Sequence, residues 1–181
     1  APSNAGGEYT GKGGYRGGNG VVGTVSGLSA TTNSTTSRSN SQAGSITLTY
    51  SGSSGDITFS STVNGAQTLT LNAEGDITFS GAVGNSTALT GLTTNSADVT
   101  SSTIALASSS ALSVTNTGSS SSLGLISGTS VTLDKLGAGT LSLVADNTYT
   151  GLTTVTAGTL TLDKSGTTGA ADVIDDSAAI T

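Results

Sequence analysis

The amino-acid sequence predicts an all-β chain folded as a solenoid of stacked coils. Thr, Val, Ile and Leu fall in short runs that alternate with a period of two, as in strands with one face inward. The chain has 1 proline and no methionine in 181 residues. Whole phrases also return at near-constant intervals. GDITFS stands at 55–60 and, letter for letter, at 75–80, and Gly-Thr-Leu-x-Leu stands at Gly139–Leu143 and Gly158–Leu162. Finally, only 33% of the residues are hydrophobic. That is little for a globular core but enough for a thin coil whose inner positions alone need be apolar. The alternative, a β-sandwich, also uses many short strands, but it does not require near-identical phrases at fixed spacing.

Along the chain, residues 1–20 (APSNAGGEYTGKGGYRGGNG) are Gly-rich, and residues 21–44 continue with small polar residues such as TTNSTTSRSNSQ. Residues 1–44 therefore read as an extended arm. It is either a flexible linker or a segment that orders only against another surface, such as a neighbouring subunit. The solenoid domain is expected over 45–181. SITLTY (45–50) alternates strictly, and the two GDITFS phrases, Val63 and TLTL (68–71) follow. Next come Ile104-x-Leu106, Leu112-x-Val114, Leu123-x-Leu125, Val131-x-Leu133 and the two Gly-Thr-Leu-x-Leu phrases. Gly, Ser or Asn bound these runs, as turns require. Coils of about twenty residues stacked at the inter-strand spacing of roughly 4.8 Å would place Ile57 over Ile77 and Phe59 over Phe79. Leu141 and Leu143 would lie beside Leu160 and Leu162. Each well-buried Leu or Ile contributes roughly 1.5–3 kcal/mol, while outward Thr, Ser and Asn face water.

The net charge of −6 is unevenly placed. Residues 1–40 carry Glu8 against Lys12, Arg16 and Arg38, giving +2; residues 41–181 carry 10 acids against Lys135 and Lys164, giving −8. An acidic body argues against nucleic acid as the partner, and two basic residues in GKGGYRGGNG are too few to reverse this. No apolar run reaches the roughly 18 residues of a membrane helix, so no membrane insertion is expected. An Ala1-Pro2 start fits a mature terminus left by signal cleavage.

With no His and no Cys, nucleophilic triads and zinc sites lose their usual side chains, and no Ser-x-x-Lys dyad occurs. No cofactor is expected. Carboxylates offer the one enzymatic opening. Asp56 and Asp76 occupy equivalent places in the GDITFS phrases, with Glu74 nearby. One coil apart they would stand about 5 Å from each other, near the carboxylate separation of a retaining glycosidase. Sugar stacking would want aromatic residues, however, and the chain has no Trp. Gly-Asp also reads naturally as a solvated turn. Calcium is the remaining reading, at Asp56 and Asp76 or at the tail cluster Asp172, Asp175 and Asp176. That cluster lacks the Gly-punctuated spacing of dedicated calcium loops.

At residues 137–162 the phrases become specific. GAGTLSLVADNTYTGLTTVTAGTLTL resembles the autotransporter-associated β-strand repeat: Gly137 to Leu143, then Asn147 to Val155, then Ala157 to Leu162. GAADVIDDSAAIT (169–181) looks like its continuation. The middle of the chain, with GDITFSSTVNGAQTLTLNAEGDITFSGAVG, is similar to large secreted adhesins of the filamentous-haemagglutinin type. Together these resemblances span roughly 45–181. They imply a right-handed parallel β-helix exported to a bacterial cell surface, with adhesive or scaffolding work rather than catalysis. No translocator barrel and no evident cap follow in the sequence. The expected partners are therefore flanking parts of a longer chain, other copies of itself or a host or cell-surface receptor. A self-assembling extracellular filament subunit, joined by strand addition through its arm or ends, is the second expectation. A carbohydrate-active β-helix enzyme is the third.

Overall fold

The computed structural model describes residues 45–50, 55–163 and 180–181. The arm at 1–44 and the tail carboxylates Asp172, Asp175 and Asp176 lie outside these residues. The described residues form strands and no helix. In chain order these are β1 (Ser45–Tyr50), β2 (Ile57–Phe59), β3 (Thr68–Ala73), β4 (Ile77–Phe79), β5 (Gly91–Ser96) and β6 (Val99–Ala105). They continue as β7 (Ala111–Asn116), β8 (Ser121–Ser127), β9 (Thr132–Leu136), β10 (Thr140–Leu143), β11 (Thr153–Val155) and β12 (Thr159–Leu162).

Odd-numbered strands make one six-stranded sheet in the order β1-β3-β5-β7-β9-β11, and even-numbered strands make a second. Every pairing is parallel. The result is a β-solenoid of about five turns with one strand from each sheet per coil. Parallel pairing excludes the antiparallel sandwich. Coil length drifts: Ser45 pairs with Thr68, 23 residues on, Ile57 with Ile77, 20 on, and Thr140 with Thr159, 19 on.

Parallel register turns each strand position into a column running through the stack. One inward column of the first sheet reads Ile46, Leu69, Leu92, Leu112, Leu133 and Thr153. Its counterpart in the second sheet reads Ile57, Ile77, Val99, Ser121, Leu141 and Leu160. The expected stacks are present. The rings of Phe59 and Phe79 lie 5.2 Å apart between centroids and 6° from parallel. Aliphatic and aromatic side chains form a single buried cluster along the coil. Burial fades in the last coil, where Leu152, Leu162 and Ile180 are exposed. Ile180 and Thr181 add beside β11: Val155 N–H donates to Thr181 O at 3.0 Å, and Thr181 N–H donates to Thr153 O at 2.9 Å.

Strict alternation fails at Leu123-x-Leu125. Leu123 and Ile126 are buried and Leu125 is only half-buried. β6 below does the same, burying Ser101 and then Ile104. Both strands turn a corner there, so the next inward residue is three positions on rather than two. Gly124 sits at that corner against the Ser102 carbonyl, which a Cβ would strike. Further along, Gly137 and Gly158 turn the chain into β10 and β12 with φ of 75°. A Cβ at Gly137 would also meet the Asn116 carbonyl of the coil below. Gly137→Ala should therefore lower unfolding stability by about 1–3 kcal/mol. The exposed neighbour Ala138→Gly should change it by about 0.5 kcal/mol or less. Urea denaturation of the two variants measures the difference.

Candidate functional site

Asp56 and Asp76 fall at one corner, between the odd-numbered strand of a coil and the even-numbered strand that follows. They do not pair with one another. Asp56 Oδ1 accepts the backbone N–H of Asp76 at 2.8 Å, and Asp76 Oδ1 accepts that of Asp98 at 3.1 Å. Asp98 Oδ1 then accepts the N–H of Ser120 at 3.0 Å and the hydroxyl of Ser121 at 2.9 Å. Each carboxylate thus holds a main-chain donor of the next coil, as an Asx turn does within one chain segment. Asp98 belongs to the column but stands 22 residues after Asp76, within SADVTS rather than GDITFS. Exact phrase matching misses it for that reason. Among the described residues, no three His, Cys, Asp or Glu side chains gather so as to hold a metal ion.

In the next two coils the corner uses donors instead. Asn116 is fully buried, and its Nδ2 donates to Ser121 Oγ at 2.9 Å, Thr140 O at 2.9 Å and Gly118 O at 3.2 Å. Lys135 pairs with Val114 in an inward column and is also fully buried. Its Nζ donates to Leu136 O at 2.6 Å, Gly137 O at 2.9 Å and Ala157 O at 3.2 Å. An ammonium has three protons, so three carbonyls from two successive turns use all of them. Little in the sequence pattern marks Lys135 as buried. A charged residue in an alternating strand reads as outward, and only its odd position in Val131-x-Leu133-x-Lys135 hints otherwise.

The Asn-Thr-Tyr-Thr-Gly segment fills the opposite corner. Asn147 Oδ1 accepts Ile126 N–H at 2.6 Å, where a straight strand would have offered a carbonyl, and its Nδ2 donates to Ala145 O at 2.9 Å. Tyr149 is fully buried with its hydroxyl 2.6 Å from Thr153 Oγ1. Thr150 Oγ1 accepts Ser130 N–H at 2.8 Å, and Gly151 N–H donates to Val131 O at 3.0 Å. Asn147 and Thr150 through their side chains, and Thr148 and Gly151 through their N–H groups, close contacts to the coil below, while Tyr149 fastens its own coil. On the outer face of the first sheet, Asn95 Nδ2 donates to Asn72 Oδ1 at 2.6 Å and Asn72 Nδ2 to Thr49 Oγ1 at 3.1 Å, a further coil-to-coil ladder.

Two of these groups titrate unusually. Burial disfavours the charged forms: it lowers the pKa of Lys135 below 10.5, and it raises that of Tyr149 above 10.0 against the opposing hydrogen bond from Thr153. Their signs oppose. In the window just below pH 10.5 the unfolded chain holds the Lys135 proton more tightly than the folded one, so stability from this group rises with pH. Above pH 10.0 the unfolded chain loses the Tyr149 proton first, so stability from that group falls as pH rises. Thermal midpoints measured across pH 8–12 should therefore show Lys135→Met without the rising component and Tyr149→Phe without the falling one. At pH 7, Tyr149→Phe should cost about 1–2 kcal/mol, because it leaves the buried Thr153 hydroxyl unpaired.

Residues 133–162, which span β9 to β12, match the family model of the passenger-associated-transport-repeat. Neither the curated proteins nor the solved structures gave a match. The matched stretch contains Lys135, the Asn147–Gly151 corner and both Gly-Thr-Leu-x-Leu phrases. The C-terminal coils of this solenoid therefore carry a repeat of the kind found in transported passenger segments, as the resemblance of residues 137–162 implies.

Proposed function

We propose that this chain is a non-enzymatic structural or adhesive β-solenoid of a bacterial surface protein, working outside the cell as a stiff rod. The observation that carries the reading is the fate of the polar corner side chains. Asp56, Asp76, Asp98, Asn116, Lys135 and Asn147 all bond to the main chain, most of them to the next coil. Groups committed to such bonds are poor candidates for acid–base work, which needs a carboxyl within reach of a substrate proton. The match to the passenger-associated-transport-repeat supports export. Binding then belongs to the outer Thr, Ser and Asn faces or to the ends, with a host or cell-surface receptor as the partner.

A second reading, a filament subunit, draws on the last coil. β12 pairs with β10 alone among the described residues, and Leu162 within it is exposed, as is Leu152 before β11. Such an edge suits a further parallel strand from a flanking part of a longer chain or from another copy.

Cells displaying the chain should bind to glycan or matrix-coated surfaces, and Asp56→Asn with Asp76→Asn should leave that binding unchanged. The same purified chain should release no sugar from polysaccharides. Sugar release that disappears in the Asp→Asn variants would overturn the reading. Concentration-dependent fibres of uniform width in electron micrographs would favour the filament.

A further inference from the structure

The third coil breaks the pattern of the interior. In its inward columns Thr94 lies between Leu71 and Val114, and Ser101 lies between Phe79 and Leu123. The two sit at matching places on either side of the Ala97–Asp98 corner. Where the coil below brings a Leu and a Phe, this coil brings two small hydroxyls. Ser96, also inward, stacks under Asn116 of the next coil.

All four side chains are more than nine-tenths buried: Thr94 is 1% exposed, Ser96 8%, Ser101 6% and Asn116 0%. None of Thr94 Oγ1, Ser96 Oγ, Ser101 Oγ and Asn116 Oδ1 has a hydrogen-bond partner among the described groups. The amide orientation of Asn116 is settled by its surroundings, since its other terminal atom faces the carbonyls of Gly118 and Thr140 and must be the donor. An orphaned buried polar atom costs about 1–3 kcal/mol, and four in two adjoining coils need a common explanation.

We infer that the third coil holds internal water, bound by Thr94, Ser96, Ser101 and Asn116 in the space that Leu71 and Phe79 fill one coil below. Water fits the chemistry of the set. Asn116 Oδ1 can only accept and so needs a donor, while the three hydroxyls can donate or accept. Neutral oxygens also ligate cations, but a cation here would enter a site with no carboxylate among these four groups, at a steep desolvation cost. Buried waters usually make about three hydrogen bonds to otherwise unsatisfied groups, and four such groups are present here. The apolar column is therefore interrupted by a hydrated layer between the Phe59–Phe79 stack and the Leu123–Leu143 stack.

Oxygen-17 magnetic relaxation dispersion on the full chain reads water that stays longer than the protein takes to tumble. The wild type should show such water, and Thr94→Leu with Ser101→Phe, which installs the pair of the coil below, should lose most of that amplitude. A folded wild type without long-lived water, or a folded double variant with undiminished amplitude, would overturn the inference. If the double variant does not fold, a wild-type crystal structure at water-resolving resolution decides. A water within hydrogen-bond distance of at least two of the four oxygens supports the inference. Direct side-chain contact in its place, or a peak that rubidium replaces, refutes it.

Discussion

Every feature of this molecule depends on the parallel hydrogen-bond ladder between successive coils. A parallel ladder in register places each residue directly over one residue of the coil below. The inner wall can then be as thin as one Leu or Ile per column, because its neighbours above and below supply the packing. This is why a chain with 33% hydrophobic residues still gathers one buried cluster running from Ile57 to Tyr149. The ladder also commits the backbone donors and acceptors of the strands, so the outer faces can carry Thr, Ser and Asn at no structural penalty.

Corners are where a ladder fails, and the side chains there repair it in two ways. In the early coils the corner leaves backbone N–H groups without an acceptor, and Asp56, Asp76 and Asp98 provide one. In the later coils Gly137 and Gly158 adopt left-handed φ. Main-chain oxygens of those turns, at Leu136, Gly137 and Ala157, then converge on Lys135, while Asn116 serves Thr140. The charge of the side chain follows from which backbone group the turn exposes. An acidic column and a buried lysine along one corner are thus two answers to the same requirement.

Much of this was legible beforehand. SITLTY, GDITFS and Gly-Thr-Leu-x-Leu announced strands, and the columns of Ile57 with Ile77 and Leu141 with Leu160 follow from their spacing. What escaped is physically coherent. β5, GLTTNS, carries inward Thr94 and Ser96 in place of aliphatics, so its period-two signal vanishes. Leu125 matched the alternation but turned aside, because the bend at Gly124 changes the phase. Lys135 was opaque, since only the stacked turns of the folded chain offer a buried ammonium three carbonyls at once. Asp56 and Asp76 were located correctly in equivalent coils. Each accepts a backbone amide of the next coil, and spacing alone does not reveal that.

Disulfide trapping between stacked columns tests the ladder most directly, because the chain contains no cysteine of its own. Thr70 and Thr93 are register partners on the outer face of the first sheet, as Thr78 and Thr100 are on the second. Cysteines at either pair should oxidise to an intramolecular bridge, since adjacent parallel strands bring Cα atoms within the roughly 4.4–6.8 Å a disulfide spans. Cysteines at Thr70 and Thr78, on opposite sheets, should not. Efficient bridging of the Thr70–Thr78 pair, or none in either stacked pair, would contradict the coil register on which the whole account rests.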